Sequence, residues 1–195
     1  MLSLYKNLIN LIPAELLEIH SLKRLNLSAN KIEILPNNIG ALHDLEVLDI
    51  LARRNFWDQS ANHIEELPES ISCLINLHEL HVNDNAIKIL PNPITELKKL
   101  RKLIVSRNKL VTLPNSVGRM SSLTDIDLRS NGLEYLPRSI GELKHLPLLD
   151  LRDNNLIELP EEISNLSSLE KIGLMMNKNL KIPSWINDLK CVVFY

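Results

Sequence analysis

Eight prolines, each preceded by Leu or Ile, fall at Pro13, Pro36, Pro68, Pro91, Pro114, Pro137, Pro160 and Pro183. Every step between neighbours is 23 residues except the 32 from Pro36 to Pro68. A fixed period of this length is the mark of a stacked array, in which each repeat is one supersecondary unit that buries its apolar face only against its neighbours. The period therefore overrides the ordinary length prior, which for 195 residues would suggest one or two globular domains.

Each unit reads L-x-x-L-x-L-x-x-N-x-L-x-x-L-P-x-x-I-x-x-L-x-x, as in Leu22, Leu25, Leu27, Asn30, Ile32, Leu35, Pro36, Ile39 and Leu42. Seven complete copies start at Leu22, Leu45, Leu77, Leu100, Leu123, Leu146 and Leu169, and only Asn179, where an aliphatic is expected, departs from the signature. A partial copy fills residues 1–21, with Leu2, Leu4, Asn7, Ile9, Ile12 and Pro13 in the later slots. A second partial copy is expected at 192–195, with Val192 and Tyr195 standing for its first two leucines. The one long step is read as nine extra residues, LARRNFWDQ at 51–59, looping out after Ile50. The organisation is thus a single domain over residues 1–195.

The L-x-L core alternates with period two, so Leu25 and Leu27 point to one face of a short strand and Asn26 to the other. One such strand per turn, stacked in parallel, makes a continuous sheet covered on its apolar side by the returning half of each unit. The asparagines Asn30, Asn62, Asn85, Asn108, Asn131, Asn154 and Asn177 stand where the chain turns inward. Buried amides there would satisfy backbone groups of adjacent turns, a structural role. The prolines end the strand side and stiffen the outer connection.

This signature resembles the leucine-rich-repeat family, and within it the 23-residue class with LPxxI in the outer half, as in the Ras-suppressor, Shoc/Sur and Scribble-like groups. The resemblance covers the whole chain. It implies an α/β leucine-rich-repeat solenoid: a curved right-handed horseshoe with short parallel strands on the concave face and short helical or extended segments on the convex face. It also implies an intracellular scaffold or adaptor whose partner is another protein, such as a small GTPase, kinase or phosphatase component. The alternative is the recognition module of a larger receptor or secreted effector, which cysteine-flanked ends or an appended catalytic domain would support.

A net charge of -2 gives no basic field of the kind that releases counterions from nucleic acid, and 4% aromatic content gives no ladder for stacking bases. A protein partner is expected instead. No stretch is long enough to span a bilayer, and the N-terminal MLSLYKNLINLIP is broken by Lys6, Asn7 and Asn10, unlike a signal-peptide core. Cys73 and Cys191 lie far apart and form no disulfide cluster, which points to a reducing, cytoplasmic setting. Two sequons, Asn26-Leu27-Ser28 and Asn165-Leu166-Ser167, would count only in a secreted chain.

No catalytic, cofactor-binding or metal-binding residues are expected. An enzyme needs a nucleophile or an acid–base pair converging with an orienting group. Cys73 sits in the outer half of its unit, whereas His78 and His81 belong to the next strand. The two histidines differ by an odd number of residues and so face opposite sides, which spoils chelation. Asp127 and Asp150 lack the further oxygen ligands a hard cation requires, and the five glycines are scattered.

Residues between the leucines project from the sheet's open side. The central column reads Asn26, Asp49, His81, Ile104, Asp127, Asp150 and Gly173. Further along each strand come Ser28, Ser60, Asn83, Ser106, Arg129, Arg152 and Met175, then Ala29, Ala61, Asp84, Arg107, Ser130, Asp153 and Met176. Asp127 and Asp150 are expected on neighbouring strands, with Arg129 and Arg152 on the same face to offset them, either as a self-neutralising ladder or as a docking patch. Arg101, Lys102 and Arg107 suggest a basic patch, and Met175 and Met176 an adaptable apolar surface. The extra segment carries Arg53, Arg54, Phe56 and Trp57, residue types enriched at interface hot spots.

Overall fold

An isolated three-residue strand has too few ladder bonds and too little apolar contact to persist, so the repeat can fold only as a stack. The computed structural model describes residues 1–52 and 61–195. Among them are nine strands: β1 (Leu2–Ser3), β2 (Arg24–Asn26), β3 (Val47–Asp49), β4 (Glu79–His81), β5 (Lys102–Ile104), β6 (Asp125–Asp127), β7 (Leu148–Asp150), β8 (Lys171–Gly173) and β9 (Val192–Phe194). They form one parallel sheet in sequence order, and each pairs only with its predecessor and successor.

Register follows the repeat. Leu2, Leu25, Leu48, Leu80, Leu103, Ile126, Leu149, Ile172 and Val193 stand side by side across the sheet. They point into a core that runs the length of the stack and is closed on the far side by Ile39, Ile71, Ile94, Val117, Ile140, Ile163 and Ile186 from the outer halves. Those outer halves hold one helical turn, α1 (Ala14–Leu17), and 3₁₀ segments such as Arg138–Glu142 and Glu161–Asn165. Several begin directly after the signature proline, whose fixed φ suits the residue before a helical turn. Close stacking there demands small residues: a Cβ on Gly141 would lie 2.1 Å from the Glu162 carbonyl oxygen of the next turn.

The asparagines tie the turns together. Asn131 donates from Nδ2 to the carbonyls of Val105 (3.1 Å) and Leu128 (3.1 Å), and its Oδ1 accepts the Leu110 N–H (3.0 Å). Asn108 and Asn154 make the same three contacts one turn away on either side. Each L-x-L carbonyl in the middle of the stack therefore accepts from two successive asparagines, and the row is continuous. Asn62 holds its place in it, bonding the Leu27 carbonyl and the Ile32 N–H.

Three details of the expected register change. The extra residues do not begin at 51: Ala29 donates to the Leu51 carbonyl (2.9 Å) and Ala52 to the Asn83 carbonyl (3.1 Å), so both residues remain in the ladder. Leu51 and Ala52 thus fill the slots assigned to Ser60 and Ala61. At the other end, Ile172 pairs with Val193, so the last step is two residues shorter than the repeat and Val193, not Tyr195, takes the core slot. The reason is local: Leu189 is extended (φ -66, ψ 132), whereas the equivalent Leu143 and Leu166 turn (ψ 72 and 89), so the chain enters β9 at once. Finally, Leu180, next to Asn179 where the signature fails, is partly buried against the core.

Candidate functional site: the open face of the sheet

The central column stands as a row of direct neighbours, Asn26 to Asp49, Asp49 to His81, His81 to Ile104, Ile104 to Asp127, Asp127 to Asp150 and Asp150 to Gly173. Asp49 accepts from the Ser28 hydroxyl and the Leu51 N–H. His81 Nε2 lies 3.0 Å from Glu79, and that hydrogen bond, opposed by burial and helped by Lys102, holds the Glu79 carboxyl below the usual range.

The aspartates of β6 and β7 are each clasped by an arginine two residues on. Arg129 donates from Nε and Nη2 to the two oxygens of Asp127 (2.8 and 2.7 Å), and Arg152 does the same for Asp150 (2.8 and 2.6 Å). Arg129 Nε also reaches Asp150 at 3.4 Å, so the two pairs form one network. Burial alone would push the Asp127 carboxyl up, but hydrogen bonds from Arg129 and Ser106 outweigh it and hold the group below the ordinary carboxylate value. The hydrogen bond to Asp127 pushes the Arg129 guanidinium further towards the charged form, and the one to Asp150 does so for Arg152. Gly173 makes room for this arrangement: a Cβ there would sit 3.0 Å from Asp150 Oδ1 and 3.1 Å from Arg152 Cγ.

The residues expected to make a basic patch are not brought together. Arg101 precedes β5, and its N–H donates to the His78 carbonyl. Lys102 opens the strand with Asp125 at 3.8 Å, and Arg107, three residues beyond its end, lies 3.4 Å from Asp84. Arg107 and Asp84 belong instead to a depression of about 300 Å³ shared with Ile104, Ser106, Asp127 and Arg129. Met175 is half-buried and Met176 exposed at the β8 end. Arg53, Arg54, Phe56 and Trp57 lie outside the described residues.

Sequence reasoning passed over one column almost entirely. Arg24, Val47, Glu79, Lys102, Asp125, Leu148 and Lys171 open their strands two residues before the central column and share its face. Parity was the available signal, since the residue before the second leucine of L-x-x-L-x-L faces the same way as the one after it.

Among the described residues, no three His, Cys, Asp or Glu side chains come together to hold a metal, and no helix is long and apolar enough to cross a membrane. Cys73 and Cys191 are both free thiols, and burial pushes that of Cys191 up. On the outer side a cavity of about 460 Å³ lies between Glu161–Asn165 and Ser184–Asp188, lined by Leu166, Leu169, Trp185, Leu189 and Cys191.

A row of one-strand turns, an unbroken asparagine row and an open parallel face define a leucine-rich-repeat solenoid. Residues 21–42 and 145–166 match the Leucine Rich Repeat family model. Among solved structures, the chain is similar to the ectodomain of the Arabidopsis thaliana membrane receptor kinase GASSHO1/SCHENGEN3, solved with CASPARIAN STRIP INTEGRITY FACTOR 2 (28% identity, TM-score 0.80, covering 94% of this chain and 22% of that one). It is also similar to the plant peptide hormone receptor RGFR1 in complex with RGF2 (26% identity, TM-score 0.78, 94% and 29%). A leucine-rich-repeat protein of Leptospira interrogans aligns over 100% of this chain and 60% of its own (27% identity, TM-score 0.59). The chain thus spans less than two thirds of each of these relatives. No curated protein matches it in sequence.

Proposed function

We propose that this chain is a non-enzymatic interaction module that holds another protein against the open face of its sheet. One observation carries the reading. Across β2 to β8 the buried slots repeat almost without change, while the open-face slots vary along the sheet, with Asp127 and Asp150, and Arg129 and Arg152, as repeated neighbours, and are polar or charged in most strands. A surface that varies on an invariant frame is how a repeat scaffold encodes a partner.

The finer assignment is an intracellular scaffold or adaptor of the 23-residue LPxxI class, in the manner of the Ras-suppressor, Shoc/Sur and Scribble-like groups, serving small-GTPase or kinase signalling in the cytoplasm. The two free, widely separated cysteines support a reducing compartment. The likeness to a receptor kinase ectodomain and to a peptide hormone receptor, each of which this chain spans for under a third, supports a second reading as the recognition part of a larger protein.

The test is affinity capture from the native cell with mass spectrometry, comparing wild type, Asp127→Lys with Asp150→Lys on the open face, and Glu161→Lys with Glu162→Lys on the outer side. Partners should be lost from the first double variant and kept by the second. Equal retention in both would remove the open face from the function.

A further inference from the structure

Resting on that reading, the geometry points to a chemical class for the partner: an acidic segment of a protein, whose side-chain carboxylates dock on Arg107, Arg129 and Arg152. Each of these arginines has an aspartate beside it, and the two signs of each pair lie at different depths, while Asp153, two turns on in the slot of Arg107, is an acid that stays exposed. The side chains of Asp84, Asp127 and Asp150 are 15%, 14% and 8% exposed, whereas those of Arg107, Arg129 and Arg152 are 72%, 46% and 38% exposed. Short carboxylates form the floor and long guanidinium groups lie over them.

The donors are also unequally used. Each aspartate is occupied: Asp127 by two arginine N–H groups and the Arg129 backbone N–H, Asp150 likewise through Arg152, and Asp84 by Asn83 Nδ2 as well as Arg107. A guanidinium has five N–H donors. Arg129 and Arg152 commit an Nε and one Nη2 each to their clasped aspartate, and Arg107 a single 3.4 Å contact. What faces a partner is therefore a set of spare donors on three successive turns: Arg129 and Arg152 stand in equivalent slots about 4.8 Å apart, and Arg107 lies one slot further along on the preceding turn. That spacing is close to the 5–6 Å between same-face residues three or four apart on a helix.

A chain of net charge -2 with 4% aromatic residues offers a polyphosphate neither a long-range basic field nor stacking platforms for its bases, so binding here rests on contact. At contact, a carboxylate meets the planar fork directly.

The full chain is titrated by calorimetry with an oligo-glutamate peptide, an oligo-lysine peptide of equal length and a single-stranded oligonucleotide. The titration is repeated on a charge-balanced variant, Asp84→Asn, Arg107→Gln, Asp127→Asn, Arg129→Gln, Asp150→Asn and Arg152→Gln, which removes the guanidinium forks and their charge without stranding buried acids. Arg119→Gln with Glu96→Gln, an exposed pair on the outer side, is the control. Oligo-glutamate alone should bind, more weakly as salt rises, and its affinity should drop by tenfold or more in the balanced variant but not in the control, since one charge-assisted hydrogen bond is worth about that factor. Arg107→Lys, Arg129→Lys and Arg152→Lys together should restore part of the binding, and unchanged thermal unfolding of this variant certifies its fold. Tighter binding of oligo-lysine, equal binding of the oligonucleotide, or no loss in a folded balanced variant each overturns the inference. A native partner lost on Asp127→Lys with Asp150→Lys but fully kept by the balanced variant overturns it while leaving the proposed function standing.

Discussion

The asparagine row inside the turn and the arginines beside the open face are both polar and set one per turn, yet they are built to opposite ends. Asn131 aims every polar atom of its amide at backbone, and its carbonyl acceptors are shared with Asn108 and Asn154. Arg129 aims at side chains and remains half exposed. The first arrangement is required wherever a turn stacks on a turn, so it recurs in every complete unit. The second satisfies no backbone group that the fold depends on, apart from the clasped acids, and it is confined to three strands.

The sharpest way to break this contrast is Asn131→Ala. It strands the Leu110 N–H in the interior and removes one of two donors from each of the Val105 and Leu128 carbonyls. With about 1–3 kcal/mol for the orphaned donor and about 1 kcal/mol for each lost bond, the variant should lose roughly 3 kcal/mol or more. Urea unfolding followed by circular dichroism measures it. A loss below 1 kcal/mol would mean that the row is ornamental.

Asp127→Asn should come next, at about 1–2 kcal/mol, because it weakens charge-assisted bonds to a half-exposed arginine. It also carries a pH signature. The native carboxyl titrates below its ordinary value, so its contribution to stability is complete above the unfolded carboxylate pKa of about 3.9 and is lost as pH falls from there through the lower native value. The wild type should therefore lose more stability than Asp127→Asn between neutral pH and pH of about 3, and the two urea midpoints should converge. A constant gap across that range would show that the pair is not what stabilises β6.

Much of this was legible in the chain because a solenoid repeats its solution. Slots that recur in each unit, the leucines, asparagines and prolines, have one structural explanation each, and the strand register follows from them. What escaped had local causes. The 51–59 boundary failed because Leu51-Ala52 and Ser60-Ala61 are equally good fits to the two slots before Asn62, and only the ladder bonds of Leu51 and Ala52 choose between them. The short last step rests on the extended backbone of Leu189, which no residue type announces. On the open face, parity gave the columns but not the depth. Asp127 and Arg129 look like an even exchange of charge in the sequence, and only the lengths of their side chains turn them into a floor and a roof.

Arg107→Gln is the smallest predicted effect on stability and the most informative about the open face. Its single contact with Asp84 is 3.4 Å long and the guanidinium is mostly in water, so the bond is weak and exposed ion pairs contribute little. Asp84 keeps Asn83 Nδ2 as a partner after the change. Arg107 does sit in the left-handed region at φ 53, but so do Ala29, Asp84, Ser130, Asp153 and Met176 in the same slot, and Gln adopts that backbone no less readily than Arg. The urea midpoint should therefore stay within about 0.5 kcal/mol of wild type. A larger loss would place Arg107 with Asn131 as part of the frame, and the division between a row that builds the solenoid and a row free to meet a partner would fail at the strand where it is most exposed.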